Sequence, residues 1–330
     1  MSVMITDIPV VVSDFETKGG VVMRGKQIMT VTGPVNANLL GTVYSHEHLI
    51  VQPQIPDEKY IAYTLSDENA SAKEVQLFAN AGGKTIVEMT PINYGRDVLA
   101  YQRIAEKTGI YVICCTGFHK ELFMPSWFKE KKSSQIYDEV LNEIENGIDK
   151  TSIRPGVIKM GTSFENITDQ ERRAVEIVAR LHQDTGIMIS THCDKGTMGI
   201  EQLDLLEHYG VSAKDVLLGH IDSKHDIDYA KELCKRGAKI CIDHVGRSLS
   251  DHDAFCVQLI TELIEAGFVD HVVLSGDMGK TDYLLSYGGT PGFGYILTEL
   301  KKTLLQYISE EDFSKMLIKN PQQFLSGNND

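Results

Sequence analysis

The chain has 330 residues, 42% hydrophobic and 24% charged, with a formal net charge of −14. That is enough apolar material for an ordinary soluble core, and the acidic balance makes nucleic acid and anionic lipid poor partners, while a local basic pocket could still hold a small anionic substrate. No apolar run reaches membrane-spanning length, the N-terminus MSVMITDIPVVVSDFETKGG does not read as a secretory signal, and the six cysteines form no CxxC pair, so a cytoplasmic protein with reduced thiols is expected.

In chain order, residues 1–40 read as an N-terminal strand pair: VVMRGKQIMTVTGPV alternates loosely, and Gly33-Pro34 marks a turn. From residue 41 one unit recurs eight times, a short apolar run rich in β-branched residues followed by a longer amphipathic stretch. The runs are Thr42–His48, Lys84–Thr90, Ile110–Gly117, Gly156–Gly161, Gly186–His192, Val216–His220, Lys239–His244 and His271–Asp277. Stretches such as Thr168–Thr185, Ile227–Arg236 and Asp253–Ala266 read as helices. Strands alternating with helices argue for a parallel sheet, and eight such units fit a closed barrel. The expected fold is α/β, a (β/α)8 TIM barrel with a short N-terminal β extension. One domain is expected over 1–330, with the N-terminal strands in 1–40 and the barrel in 41–330.

Each run ends in polar residues: His46 and His48, Glu88, Thr116 with His119, Lys159, His192, His220, Asp243 with His244, and Asp277. Parallel strands bring their C-terminal ends to one face, which in a barrel carries the active site. Residues two apart on a strand share a side, so His46 and His48 can grip one metal ion while Glu47 points away in a structural role. His192 and His220 close consecutive strands, and imidazole nitrogen suits zinc and similar ions. Asp277 offers a carboxylate ligand, or alternatively a helix N-cap. Lys159 sits in the apolar strand GVIKMG, where an ammonium is unfavourable unless paired or neutral. It either reacts with carbon dioxide to give an anionic carbamate or snorkels to the strand end.

These residues lie in GTVYSHEHL (41–49), EMTPINYGRD (88–97), GVIKMGTS (156–163), STHCDKGT (190–197), LLGHID (217–222), ICIDH (240–244), LSGD (274–277) and NPQQFLS (320–326). In this set the chain resembles the phosphotriesterase family of the amidohydrolase superfamily, including its phosphotriesterase-like lactonases. The resemblance implies a (β/α)8 barrel with two divalent ions, usually zinc, with manganese or cobalt as alternatives. It implies that His46, His48 and Asp277 bind one ion and His192 and His220 the other, with Lys159 at the position of the N6-carboxylated lysine that bridges them. Asp243-His244 looks like the pair that relays a proton from Asp277, the alternative being a plain loop contact.

Two ions about 3.5–4 Å apart would share a water and lower its pKa toward neutrality, giving a hydroxide that attacks an electrophilic carbonyl or phosphorus. Asp277 would take the proton and deliver it to the leaving oxygen. After strands seven and eight come Arg247, Lys280 and Tyr283, a set suited to a phosphate. With the resemblance, this favours a phosphorylated sugar lactone over a neutral triester. The alternatives are a phosphotriesterase or another ester or amide hydrolase, and a barrel that binds metal without catalysis. Phe118, Phe123, Met124, Trp127 and Phe128 are expected to pack a long loop rather than wall an acyl channel, and Arg96 to brace the start of the second helix. A homodimer would suit the family.

Overall fold

In the computed structural model the described residues are 27–55, 57–247 and 251–327. The part of the expected N-terminal extension that falls in 1–26 lies outside them. The remainder is a hairpin, β1 (Gln27–Thr30) paired antiparallel with β2 (Gly33–Asn36).

Eight parallel strands follow: β3 (Val43–Glu47), β4 (Thr85–Glu88), β5 (Tyr111–Gly117), β6 (Val157–Thr162), β7 (Ile189–Cys193), β8 (Val216–Gly219), β9 (Lys239–Ile242) and β10 (Val272–Leu274). They are ordered consecutively in one sheet. One side-chain bond and one backbone bond join its edges: the Ser275 hydroxyl accepts from the His46 N–H at 3.0 Å, and the Asp277 N–H donates to the His46 carbonyl at 3.0 Å. The helices between strands are α1 (Glu68–Asn80), α2 (Val98–Thr108), α3 (Trp127–Glu130), α4 (Ser133–Asn146), α5 (Asp169–Thr185), α6 (Gly199–His208), α7 (Ile227–Lys235) and α8 (Asp251–Glu265). This is the (β/α)8 barrel expected from the alternating pattern. Local chemistry sets the helix ends: Thr168 and Glu171 form a reciprocal capping box at the start of α5, and Gly186 closes it in the left-handed region. No helix among the described residues is long and apolar enough to cross a membrane.

The strands alternate between two cores. Ile158, Ile189, Leu218, Ile240 and Val272 face the helices, whereas Val43, Val87, Val157, Leu217, Cys241 and Val273 fill the barrel with Phe324 and Leu325 from the C-terminal helix and Ile28 from the hairpin. The lower barrel is thus packed solid, and the site has only the C-terminal mouth to occupy. All six cysteines are buried free thiols.

One irregularity matters for the site. From Tyr44 to Glu47 strand β3 advances three residues while β4 advances two, from Ile86 to Glu88. This bulge inserts one residue and resets the inside–outside alternation. Ser45 lies among inward residues with Leu217 and Phe324, yet His46 also points inward.

Candidate metal centre

His46, His48 and His220 are fixed by their neighbours before any ligand is considered. Glu88 anchors the first chain: Thr90 donates its hydroxyl proton to Glu88 Oε1 at 2.6 Å, so its oxygen accepts from His48 Nδ1 at 2.7 Å. His48 Nε2 is left with its lone pair and lies 3.1 Å from Asp277 Oδ1. Asp243 anchors the second chain, accepting from His46 Nδ1 at 3.0 Å on one oxygen and from His220 Nδ1 and the His220 N–H, each at 3.0 Å, on the other. Gly219 lets β7 and β8 approach here: a Cβ there would stand 2.5 Å from the Thr191 carbonyl. His46 Nε2 is then free, 3.6 Å from Asp277 Oδ1 and 3.3 Å from Lys159 Nζ. A histidine whose other nitrogen is held by a carboxylate or hydroxyl is the usual arrangement of a metal ligand.

His192 gives the sharpest observation. Its Nε2 is buried and has no hydrogen-bond partner. The nearest carboxylate oxygen, on Asp194, is 3.8 Å away, beyond hydrogen-bond reach. An orphaned buried nitrogen is unfavourable unless something with an empty orbital or a proton faces it. The His192 ring centroid is 4.5 Å from that of His220.

Lys159 is 1% exposed, so the snorkelling alternative fails. Its Nζ donates to the Met89 carbonyl at 2.8 Å, and burial holds its pKa below the ordinary lysine value. Gly117, in register with Lys159, has φ +98°, and a Cβ there would overlap the Lys159 carbonyl, so only glycine lets β5 approach so closely.

His220 and Asp277 both adopt left-handed backbone conformations, φ 64° and 42°. Strain of this kind concentrates at functional sites. Here it turns two strand-end side chains back over the barrel mouth. His46, His48 and Asp277 form one cluster whose candidate ligand atoms lie within 4.8 Å of one another, and His220, His244 and Asp277 form another. The structure therefore brings His46, His48, Lys159, His192, His220 and Asp277 to the floor of one cavity of about 540 Å³. Its donor set, three imidazoles presenting Nε2 lone pairs, the unpartnered His192, a carboxylate and a buried lysine, fits divalent ions of the zinc type.

Glu47 is structural, as expected. It is fully buried and accepts from the Gly276 and Met278 N–H groups at 2.7 and 2.9 Å, fixing the turn that carries Asp277. Asp243 lies elsewhere than the expected relay: it orients His46 and His220 rather than pairing with His244. The carboxylate facing His244 is Asp222, with Oδ2 3.4 Å from Nδ1, while Nε2 is 3.6 Å from Asp277 Oδ2. Burial and Arg247 would depress the His244 pKa, but Asp222 and Asp277 win and push it up to about 9. Burial alone would raise the Asp277 pKa, yet Arg247 and His46 hold it well below the usual carboxylate range.

Arg247 and Lys280 line the cavity; Tyr283 does not, but its ring lies under Arg247 at 5.2 Å and near Lys280 at 5.6 Å. Arg247 is already engaged, donating to the Gly276 carbonyl at 3.1 Å and pairing with the Asp277 carboxylate and carbonyl. Lys120 and Lys195, not singled out in the sequence, also line it, Lys120 paired with Asp194 at 2.6 Å. Tyr60, Tyr63, Tyr94 and Phe123 make its aromatic wall, and His119 packs 4.2 Å from His192. Phe118 and Phe128 are buried loop packing, as expected, and only Phe123 of that group of five reaches the cavity. Arg96 braces α4 rather than α2: its guanidinium pairs with Glu143 at 2.6 and 3.0 Å.

The model of the phosphotriesterase family matches residues 26–325. The chain belongs to the phosphotriesterase family. It is 32% identical to the phospho-furanose lactonase of Mycoplasmopsis synoviae, over 92% of this chain and 93% of that protein. Among solved structures, a lactonase from Listeria monocytogenes superposes with a TM-score of 0.85 at 30% identity, covering 91% of this chain and 98% of that one. The phosphotriesterase homology protein of Escherichia coli, solved with phosphate in its active site, superposes with a TM-score of 0.83 at 31% identity, covering 87% and 99%. This family member is an ester-hydrolysing enzyme.

Proposed function

We propose that this phosphotriesterase-family member is a binuclear-metal lactonase that opens phosphorylated sugar lactones. The observation that carries the reading is the cavity floor: four imidazoles, Asp277 and the buried Lys159 converge there beneath a cationic rim. His46, His48 and Asp277 would hold one ion, and His192 and His220 the other. Lys159, carboxylated on Nζ, would bridge them; its burial works against the ammonium form, the form that cannot react with carbon dioxide. Bound ions, zinc or a similar divalent metal, supply acidified water and polarise the carbonyl.

The chain's own residues do the rest. Asp277 takes the proton of the attacking water, and the broken ring C–O bond leaves an alkoxide that receives it. His244, 3.6 Å away, offers that proton a second route, its other nitrogen hydrogen-bonded to the Ser223 hydroxyl and 3.4 Å from Asp222. Arg247 and Lys280 present positive charge at the rim of an otherwise acidic molecule, a fit for the substrate's phosphate. The phospho-furanose lactonase relatives and the phosphate bound in the Escherichia coli protein support the same substrate class.

Steady-state kinetics on paired lactones with and without the phosphate test the proposal. Lys280→Ala, which leaves Arg247 on Asp277, should raise KM for the phosphorylated member about 10–100-fold, the loss of a charged hydrogen bond of about 1.5–3 kcal/mol. The neutral member should change far less. Equal effects on both would remove the phosphate handle, and inertness toward every lactone with both metals bound would remove the lactonase.

A further inference from the structure

Beside the central cavity lies a second cluster of ligating side chains, of which only Asp222 also borders the proposed proton route, through His244. Asp222 comes from the turn after β8, and His252 and Cys256 from the first turns of α8. His252 and Cys256 are four residues apart, so they share one helix face, and that face is turned toward Asp222. One ligand atom from each of the three lies within 4.8 Å of the others. Asp222 and Cys256 are fully buried, and the His252 side chain is 15% exposed.

The internal bonding of this cluster repeats that of the central histidines. Asp222 Oδ1 accepts from the Asp243 N–H at 3.2 Å, which fixes the carboxylate and leaves Oδ2 facing His252 Nε2 at 2.8 Å. His252 Nδ1 is held by His225 Nε2 at 2.9 Å, and the His225 ring is itself stacked on Phe255 at 4.3 Å and 6°. One nitrogen of His252 is thus fixed from outside while the other meets the Asp222 carboxylate, with the Cys256 thiol in the same cluster. Holding the outer nitrogen is how proteins aim an imidazole at a metal.

We propose that Asp222, His252 and Cys256 form a further divalent-cation site, of the zinc type, on the barrel flank between the turn after β8 and α8. The ligand set of one thiolate, one imidazole and one carboxylate selects zinc or cobalt over magnesium or calcium, which prefer all-oxygen shells. Tetrahedral zinc holds its donors about 3.4–3.6 Å apart at the usual Zn–N, Zn–O and Zn–S lengths, so the His252–Asp222 pair, hydrogen-bonded at 2.8 Å, opens slightly to admit the ion. Water takes the fourth position. On binding, Cys256 loses its proton to solvent, the His252 ring proton moves from Nε2 to Nδ1, where His225 Nε2 can accept it, and no electron changes hands. The site shares no ligand with the central six residues and does not depend on the lactonase reading.

Anaerobic cobalt(II) titration of the chelator-stripped full chain, followed by absorption spectroscopy, tests it. The central residues include no cysteine, so a thiolate-to-cobalt charge-transfer band reports this site alone. The expected result is such a band in the wild type and its loss in Cys256→Ser. Equilibrium dialysis against zinc should find one ion fewer per chain in Cys256→Ser and in His252→Gln than in the wild type. His252 is partly exposed on the first turn of α8, so its variant carries the comparison if the buried serine prevents folding. No thiolate band in the wild type, or equal zinc content in wild type and variants, would overturn the proposal. Loss of ions in His192→Ala but not in these variants would leave the central centre standing without the flank site.

Discussion

Replacing Asp243 by asparagine should disarm one metal ligand without touching it. The carboxylate accepts on both oxygens, from His46 Nδ1 on one and from His220 Nδ1 and the His220 N–H on the other, each at 3.0 Å. An amide has one oxygen and one NH2. The oxygen must stay with His220, where two donors meet, so the NH2 turns toward His46 Nδ1. That nitrogen then has to accept, and the ring proton moves to Nε2, the atom that faces Lys159 and Asp277. A protonated Nε2 has no lone pair for a metal. Loss of such an orienting partner typically lowers metal affinity about 10–100-fold, or about 1.4–2.8 kcal/mol. Chelator-competition titration should show one ion weakened by that factor, the one at His46 and His48, and the other near its wild-type affinity. Thermal unfolding of the metal-free forms checks that the fold persists. Wild-type affinity for both ions, or equal weakening of both, would refute the tautomer argument.

Two other perturbations follow from the same geometry. Glu47→Ala strips the acceptor from the Gly276 and Met278 N–H groups; at about 1–3 kcal/mol per buried donor left unpaired, chemical denaturation should show a loss of about 2–6 kcal/mol, and a loss below 1 kcal/mol would mean the turn repairs itself. Lys159 should acquire a carbamate when the metal-free chain is reloaded with zinc in ¹³C-bicarbonate, giving a ¹³C resonance absent from Lys159→Ala; an identical spectrum in the two proteins would rule the modification out.

The barrel was legible because its strands carry runs that end in polar residues at one pole. Val157-Ile158-Lys159 and Ile189 to His192 alternate in the structure as the sequence alternates. The same pattern located all six side chains of the cavity floor. What escaped is what alternation cannot encode. The bulge in β3 puts Ser45 and His46 both inside, a register event invisible in the string of residues. His220 and Asp277 reach the mouth through left-handed backbone conformations at positions that are not themselves glycine. Asp222 sits inside the quoted LLGHID yet drew no role, because its nearness to His244 depends on how two loops from different strands cross. Arg247 was readable as a rim cation, but its pairing with Asp277 was not. Arg96 found its partner on α4, across a loop, rather than on the helix it precedes.

The convergence of His46, His48, Lys159, His192, His220 and Asp277 on two cations is most directly tested by counting metal in the purified chain and in His192→Ala and His48→Ala. The expected result is one fewer ion at the central site in each variant than in the wild type, and none there in the double variant, with the fold intact. Unchanged metal content in His192→Ala would contradict it, because the orphaned Nε2 would then face something other than a metal.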